Sequence, residues 1–371
     1  MTRPGDVLTH RALNRAMLAR QFLLDRHDES AFGAIGHLVG LQAQAPNAPY
    51  VALWSRLAGF DANELSDLVM SRAVVRIGCL RGTIHLVTAP DARVLRPLTQ
   101  VVLTRAFSNA FARNLAGLDL DDVLAAARDL LAEKPRTRTE IARFLAGQWP
   151  GYDPTSLGYA ASYLIPLIQL PPRGVWGKTG PVRWSLAESW LGHELDEDPS
   201  VDEVMIRYLA AFGPATVADV QSWSGLSKLR EVADRLRPRL RTFRDPAGAE
   251  LLDLPDAPRP EPDTPAPPRF LPEYDNVSFS YADRARVNPG GYPLPLSPGN
   301  GGRMGTFLVD GTLHGTWRIT AQRDQAILRL TPYTKLSPAD RAAIAAEGAA
   351  LLEFAAAEPA SHDIQWLPQP S

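Results

Sequence analysis

Apolar residues recur at spacings of three and four along most of the chain, a pattern typical of amphipathic helices. The series is clearest in residues 201–254, where three such stripes are followed by the strand-like runs of LRTFRDPAGAELLDL. Thr216 and Ser227 can cap the second and third helices, and Gly225 can end the second. Three helices followed by a turn-linked strand pair predict a winged helix.

The same order of helices and a short strand pair recurs twice earlier in the chain, without a strict sequence period. In residues 8–90, helical patterns such as SAFGAIGHLVGLQ precede the strand pair VVRIGCLRGTIHLVT. A middle copy has helical RTRTEIARFLAG and SLGYAASYLIPLIQ, then a hairpin with Gly-Lys-Thr-Gly-Pro at its tip. The predicted fold class is therefore mainly α with short β-hairpins (α+β), built as three tandem winged-helix motifs.

The last third of the chain has a different character. Residues 255–272 contain eight prolines, which predicts a semi-rigid linker or a clamped surface strap, and 288–302 is also irregular. GTFLVDGTLHGTWRIT reads as a hairpin turned by Asp310-Gly311, and an alanine-rich helix capped by Ser337 follows. We predict winged-helix units at 1–115, 116–198 and 199–254, and a region at 255–371 with the linker, a C-terminal β-hairpin and a helix.

Composition narrows the function classes. The net charge of −2 argues against a protein that coats nucleic acid indiscriminately, although it leaves room for local basic faces. The single cysteine, Cys79, excludes an internal disulfide and any multi-cysteine metal site, and it is most simply a core residue. No apolar run reaches the ~20 residues that span a bilayer, and the N-terminus lacks the apolar core of a signal peptide. We expect a cytoplasmic monomer with no metal and no cofactor.

Candidate chemistry lies in HLVGLQAQAPNAPYVALWSRL, residues 37–57, where Gln42 and Gln44 flank one alanine in apolar surroundings. Buried amides need hydrogen-bond partners, and each offers one carbonyl acceptor and two N–H donors. Such a pair could hold a water molecule, a sugar or a base edge. A purely structural alternative is that Pro46 ends a helix and the amides bond the carbonyls at that end.

The stretch GLQAQAPNAPYVALWSRL resembles the Gln-x-Gln signature of bacterial winged-helix DNA glycosylases of the AlkZ type, and the likeness runs along nearly the whole chain. Those enzymes remove N7-alkylated guanines and unhook interstrand crosslinks. A sister branch, similar to YcaQ, has an acidic residue at the position of Gln44. The resemblance implies a monofunctional glycosylase with a concave face for double-stranded DNA that contains alkylated or crosslinked guanine. Its role would be base excision repair or self-resistance to a DNA-alkylating natural product.

The chemistry of such a lesion suits uncharged side chains. An N7-alkylated guanine is already cationic and leaves readily, while the sugar becomes oxocarbenium-like. We expect one amide of Gln42 and Gln44 to direct its carbonyl dipole at the sugar and the other to hold the attacking water. The sequence does not say which does which. Because an amide is no general base, we expect activity on cationic lesions and little on neutral ones such as uracil.

Candidate DNA contacts come from two strand pairs and one basic run. Alternation places Arg81, Thr83 and His85 on one face of the first strand pair. It also places His314 and Arg318 together in the later hairpin, with Trp317 opposite in the core. The alternative is that each polar face is an ordinary solvent-exposed strand face with no role in binding. The predicted DNA-binding residues are Asn47, Arg81, Thr83, His85, Arg237, Arg239, Arg241, His314 and Arg318.

Two other classes of protein fit the same pattern. One is a non-catalytic winged-helix transcriptional regulator, and the other is an RNA-binding or scaffolding protein. Regulators of this type usually dimerise through one module and read paired half-sites. This chain instead has three predicted modules in one polypeptide, which favours the glycosylase.

In PEYDNV, the Asp275-Asn276 pair is most simply a turn.

Overall fold

The computed structural model describes residues 6–294, 303–322, 324–356 and 361–369. From residue 295 onward, the irregular stretch expected at 288–302 lies outside the described residues. Helices and sheets both contribute to the fold, which is mixed α/β. Within the described part of the chain, we find no helix that combines the length and the apolar character needed to cross a bilayer.

Polar caps fix the helices of the first part of the chain. Thr9 and Ser30 accept hydrogen bonds from the first turns of the first two helices, as capping residues do. A short helical turn at Leu80–Gly82 joins the two strands of the expected hairpin. The elements are α1 (His10–Arg20), α2 (Ala31–His37), β1 (Leu41–Gln42), α3 (Ala48–Arg56), α4 (Ala62–Met70), β2 (Val74–Gly78) and β3 (Ile84–Thr88).

The helix expected through Gln42 ends early, at His37. Val39 and Gly40 have φ angles of +55° and +92°, in the left-handed region that stops a helix. A Cβ on Gly40 would lie 2.6 Å from Val87 Cγ1, so glycine is needed there for space as well as for conformation. Gln42 is consequently a strand residue, and the alternative in which both glutamines serve a helix end is wrong.

The middle part of the chain adds helices and completes a sheet. Its strands join those of the first part in one six-stranded sheet of order β1-β3-β2-β5-β6-β4, with Arg76 opposite Gln169. The helix expected through residue 169 ends at Leu164, because Pro166 follows. The elements are α5 (Ala89–Leu98), α6 (Gln100–Ala110), α7 (Leu120–Glu133), β4 (Arg136–Thr137), α8 (Arg138–Gln148), α9 (Pro154–Leu164), β5 (Leu167–Gln169), β6 (Arg183–Leu186) and α10 (Ala187–Leu191).

The third part of the chain has the expected three helices and hairpin. Thr216 forms a capping box with Asp219, and Gly225 ends the second helix at φ +81°. The prediction that Ser227 caps the third helix is wrong, because that helix begins only after Leu229. The N–H of Leu229 donates a hydrogen bond to Gln221 Oε1 at 3.2 Å. The elements are α11 (Val201–Phe212), α12 (Val217–Ser224), α13 (Arg230–Leu236), β7 (Arg241–Arg244) and β8 (Glu250–Asp253).

The last part of the chain forms a five-stranded sheet of order β13-β12-β11-β10-β9, with one terminal helix packed on it. Trp317 is 2% exposed in the core between sheet and helix, which confirms its predicted place. This sheet is larger than the short hairpin expected. The elements are β9 (Arg269–Pro272), α14 (Asn276–Phe279), β10 (Arg303–Val309), β11 (Thr312–Gln322), β12 (Gln325–Pro332), α15 (Pro338–Ala355) and β13 (Ser361–Trp366).

Helix α1 holds the proline-rich segment and the β10–β11 turn. The guanidinium groups of Arg15 and Arg20 donate hydrogen bonds to the carbonyls of Thr264 (2.6 Å) and Pro258 (3.1 Å). Arg15 also pairs with Asp310 in the turn that the sequence predicts. The proline-rich segment is thus a clamped strap across α1.

Candidate active site

The Gln-Ala-Gln segment lies at the edge of the six-stranded sheet. Strand β1 pairs with β3 so that Gln42 is opposite His85, and the Ala43 N–H donates to the Ile84 carbonyl at 2.8 Å. Residues directly opposite one another point to the same face of a sheet. Gln42 and His85 therefore share one face, while Ala43 packs into the apolar cluster of α2, α3 and α4 on the other.

The two glutamines have different surroundings. Gln42 is 8% exposed, and its Oε1 accepts a hydrogen bond from Arg81 Nη2 at 2.8 Å. Gln44 is exposed, and its Oε1 accepts from the Ile84 N–H at 3.2 Å, so its side chain extends the strand ladder by one bond. One amide is anchored by a cation and the other stands at the surface. Neither is sealed inside a helix core.

Arg81 connects the first and third parts of the chain. Its Nη1 donates to the Trp223 carbonyl of α12 at 2.7 Å, while Nη2 reaches both Gln42 and His85 Nε2, the latter at 3.3 Å. Burial lowers the pKa of Arg81 to about 10, which leaves the group cationic at neutral pH.

His85 completes the same cluster in a neutral form. Burial, followed by the charge of Arg81, lowers the pKa of His85 to about 3. A neutral ring fits the geometry if Nδ1–H donates to the Thr83 carbonyl at 3.1 Å and Nε2 accepts from Arg81. The imidazole is 1% exposed, so its two ring nitrogens bond protein groups of this cluster and not solvent.

A second buried cation holds the segment from the opposite face. Arg76 Nη2 donates to the Ala43 carbonyl at 2.7 Å and to Gln169 Oε1 at 3.2 Å. Burial, and then the charge of Arg173, lower the pKa of Arg76 to about 10. Neither Arg76 nor Arg81 forms an ion pair within the residues that the structure describes. The sequence analysis missed Arg76, which reads as an ordinary strand residue.

The structure does not favour all of the expected DNA contacts near the glutamines. The polar atoms of Arg81 and His85 are turned inward, so direct DNA contact does not fit their positions. Thr83 donates to the Leu80 carbonyl at 3.2 Å and is partly buried. Asn47 occupies the N-cap position of α3 without a side-chain cap bond, and its contact with DNA stays a prediction.

The basic run after α13 is largely balanced by local carboxylates. Arg237 donates two hydrogen bonds of 3.0 Å to Glu250, and Arg235 pairs with Asp202 of α11. Arg239 is exposed, whereas the partly buried Arg241 places its guanidinium 5.3 Å from the Phe243 ring centroid. Phosphate contacts by this run therefore require competition with existing pairs, and they stay predictions.

The later hairpin presents a cationic position to solvent. Arg318 is exposed on β11, opposite Arg329 of β12. His314 shares the strand face expected for it and lies 3.2 Å, through Nδ1, from the Thr312 carbonyl. Trp317 points to the opposite, buried side. The shared face is as predicted, and its contact with DNA stays a prediction.

Two acidic residues after β9 have different environments. Asp275 accepts hydrogen bonds of 2.9 and 2.8 Å from buried Arg56 and also caps α14, so it is a structural turn residue. Burial raises the pKa of Glu273 to about 7. Glu273 lines a small pocket with Tyr274 and Thr306, among others. Nothing in the sequence pattern distinguishes Glu273 from an ordinary surface carboxylate.

Among the described residues, no group of three or more His, Cys, Asp or Glu side chains is placed so that it could hold a metal ion. The arrangement offers instead two uncharged amides at an open sheet edge. Such groups can orient water and place dipoles, but they cannot take a proton as a general base would.

Comparison with known proteins identifies the family of this chain. The sequence matches the family described as DNA glycosylase AlkZ-like over residues 35–354. A curated relative, an interstrand DNA cross-link repair glycosylase of Streptomyces sahachiroi, is 24% identical over 250 residues. That alignment covers 64% of this chain and 64% of the relative, so the chain matches just under two thirds of the relative's length.

A solved structure is similar along nearly the whole chain. The Streptomyces sahachiroi DNA glycosylase AlkZ superposes with a TM-score of 0.69 at 19% identity, covering 97% of this chain and 100% of that one. At this identity, the likeness establishes a shared fold. Together with a family match that includes both glutamines and most of the sequence, it shows that this chain belongs to the AlkZ-like family of DNA glycosylases.

Proposed function

We propose that this protein is a monofunctional DNA glycosylase that hydrolyses the N-glycosidic bond of cationic N7-alkylated guanine in double-stranded DNA. Its substrates would include guanines tied in interstrand crosslinks, and the curated relative's description as a cross-link repair glycosylase supports that extension. The observation that carries the proposal is the pair of uncharged amides, Gln42 and Gln44, at the open edge of β1. The role would be base excision repair or self-resistance to a DNA-alkylating natural product.

The proposed reaction needs no proton donor for the leaving group. As the bond breaks, both its electrons go to the alkylated base, which departs neutral and leaves positive charge on the sugar. A water molecule then adds to the sugar carbon and releases a proton to solvent. Carbonyl oxygens of Gln42 and Gln44 can stabilise the sugar cation and accept hydrogen bonds from the water without changing ionisation state.

We also propose that three winged-helix units form the DNA-binding body, as a monomer, with a concave face toward the duplex. The sequence of α11, α12, α13 and the β7–β8 hairpin supports the third unit at 199–254. The units at 1–115 and 116–198 would share the six-stranded sheet, and 255–371 would brace them. A shared sheet would fix the first two units relative to each other. A fixed arrangement suits an enzyme that must bind a duplex on both sides of a single lesion.

One assay tests the function directly. The purified chain is incubated with a duplex that contains a single N7-methylguanine, and alkali then cleaves any abasic site. We expect strand cleavage that is lost when both Gln42 and Gln44 are changed to alanine. A duplex with a single uracil is the matched substrate control and should stay intact. Tight sequence-specific binding without any product would instead identify a non-catalytic winged-helix regulator.

A further inference from the structure

The hydrogen bonds of Arg81 to Gln42 and His85 also bear on catalysis, and this inference rests on the function proposed above. We propose that Arg81 is a positioning residue that fixes the amide orientation of Gln42, so that the carbonyl facing the sugar cation belongs to Gln44. Arg81 would act through Gln42 and would touch neither the base nor the sugar.

The backbone of Arg81 is placed by close packing against the third part of the chain. Arg81 has φ +54° and is followed by Gly82 at φ +71°. Gly225, at the end of α12, lies so close that a Cβ there would be 3.2 Å from Arg81 Cα. Since a left-handed non-glycine residue persists only where its surroundings hold it, the tip of the first hairpin is fixed by α12.

The guanidinium then selects one orientation of the Gln42 amide. With Oε1 toward Arg81 Nη2, the 2.8 Å contact is a charge-assisted hydrogen bond. Turning the amide over would set its N–H groups against a cation that has no lone pair to offer. Gln42 therefore keeps its carbonyl on Arg81 and directs its N–H donors elsewhere. No described residue accepts a hydrogen bond from Gln42 Nε2.

The same contact makes Gln42 the poorer of the two at stabilising positive charge. A guanidinium cation at hydrogen-bond distance offsets the partial negative charge of the carbonyl oxygen that it binds. Among the residues that the structure describes, the partner of Gln44 Oε1 is the neutral Ile84 N–H, at 3.2 Å and at the surface, so this carbonyl can turn toward a ligand at low cost. Gln42 is left to orient water or the DNA backbone through its N–H groups and one remaining lone pair.

Neutral His85 keeps this arrangement insensitive to pH. Its Nε2 accepts from Arg81 Nη2, the nitrogen that also binds Gln42, and its Nδ1 faces the Thr83 carbonyl. A protonated imidazole would repel Arg81, but burial disfavours that form. The Trp223 carbonyl supplies the third anchor.

A double-mutant cycle tests the proposal, with single-turnover excision of N7-methylguanine from a duplex as the readout. We expect Arg81→Met to slow excision about 10- to 100-fold with little change in DNA affinity. The variant Arg81→Met with Gln42→Ala should be no slower than Gln42→Ala alone, because both remove the same contact. Arg81→Met and Gln44→Ala should instead multiply. Arg81→Lys should recover part of the rate.

Arg96→Met is the matched control for the loss of a buried cation. Burial also lowers the pKa of Arg96 to about 10, but its guanidinium donates to Gln100 and to the Tyr163 carbonyl. We expect Arg96→Met to lose thermal stability and to keep near wild-type excision. If Arg81→Met is too unstable to purify, Arg81→Gln, which also removes the cation, replaces it in the cycle.

Three outcomes separate the possibilities. Losses that multiply fully between Arg81 and Gln42 would overturn the positioning role while leaving the glycosylase intact. A weaker affinity with a salt slope lowered by about one would show that Arg81 contacts a phosphate, which also overturns the proposal. A wild-type protein that binds the duplex but excises nothing would overturn the proposed function and this inference together.

Discussion

Arg76 donates a hydrogen bond of 2.7 Å to the carbonyl of Ala43, the residue between the two glutamines. Because Arg81 holds Gln42 on the other sheet face, the motif is fixed from both sides by cations, of which Arg76 is buried and Arg81 is partly buried. A dipole that is already oriented costs no reorganisation when charge develops on the substrate. The structure therefore explains how the Gln42 amide and the backbone between the two glutamines are held in place on a short edge strand.

Removing either glutamine should slow excision without unfolding the protein. We expect Gln42→Ala and Gln44→Ala each to lower the single-turnover rate by about 100-fold or more. Gln44→Ala removes the carbonyl dipole that faces the sugar, and Gln42→Ala removes the amide that orients water. DNA affinity should stay within about threefold, since neither side chain carries charge. Gln100→Ala is the matched control, because Gln100 also accepts a hydrogen bond from a buried arginine, Arg96. An equal loss of affinity and rate would mark the pair as a binding or structural element.

The excision rate should not depend on pH between about 5.5 and 8.5. Amides do not ionise in this range, and the pKa of His85 is lowered to about 3, so the imidazole stays neutral throughout. Single-turnover rates measured across this range on an N7-methylguanine duplex check the expectation. An inflection near pH 7 that disappears in Glu273→Gln would instead bring Glu273 into the reaction, since its pKa is raised to about 7.

Glu273 should make stability depend on pH. Its folded pKa of about 7 lies above the ordinary value of about 4.3, so the unfolded chain loses the proton first as pH rises. The free energy of unfolding therefore falls between these two values, and the full penalty applies above pH 7. We expect Glu273→Gln to stabilise the protein by roughly 1 kcal/mol at pH 8, after allowance for solvent screening, and by little at pH 4.

Thermal melts at the two pH values measure this difference. Glu353→Gln, an exposed change of the same charge on α15, controls for the altered net charge. Equal melting shifts for Glu273→Gln at both pH values would contradict the assignment of a raised pKa to this carboxyl.

The salt dependence of binding should separate exposed from paired arginines. We expect Arg318→Ala to lower the slope of log affinity against log salt by about one, because Arg318 is exposed and free to meet a phosphate. Arg237→Ala should change the slope less, since that guanidinium already bonds Glu250. Titration of a labelled duplex at several salt concentrations provides the measurement. The opposite order would place the duplex on the basic run after α13.

The sequence pattern predicted the features that depend on neighbours in the chain. The helices of residues 201–236, the Thr216 cap, the Gly225 stop and the Asp310-Gly311 turn are all set by local periodicity and turn chemistry. Their prediction needed no knowledge of distant parts of the chain.

The features that escaped prediction depend on partners far away. Gln42 meets Arg81 across 39 positions, and Arg81 meets Trp223 across 142. Periodicity showed a polar strand face at Arg81 and His85, but it could not show that α12 covers this face. Similarly, the basic run looked like a cationic surface until the fold brought Asp202 and Glu250 beside it.

Helix α1 is synthesised long before most of the groups that its buried arginines bind. Buried Arg15 donates to the neighbouring Asn14, and buried Arg20 donates to the Leu209 carbonyl. Their other acceptors lie further along the chain, at Asp253, Pro258, Thr264 and Asp310. On the ribosome, the guanidinium N–H groups that bind these later residues must stay hydrated until that part of the chain has emerged. Closure of the strap over α1 is consequently a late folding event, and removal of α1 would free the strap from this anchor.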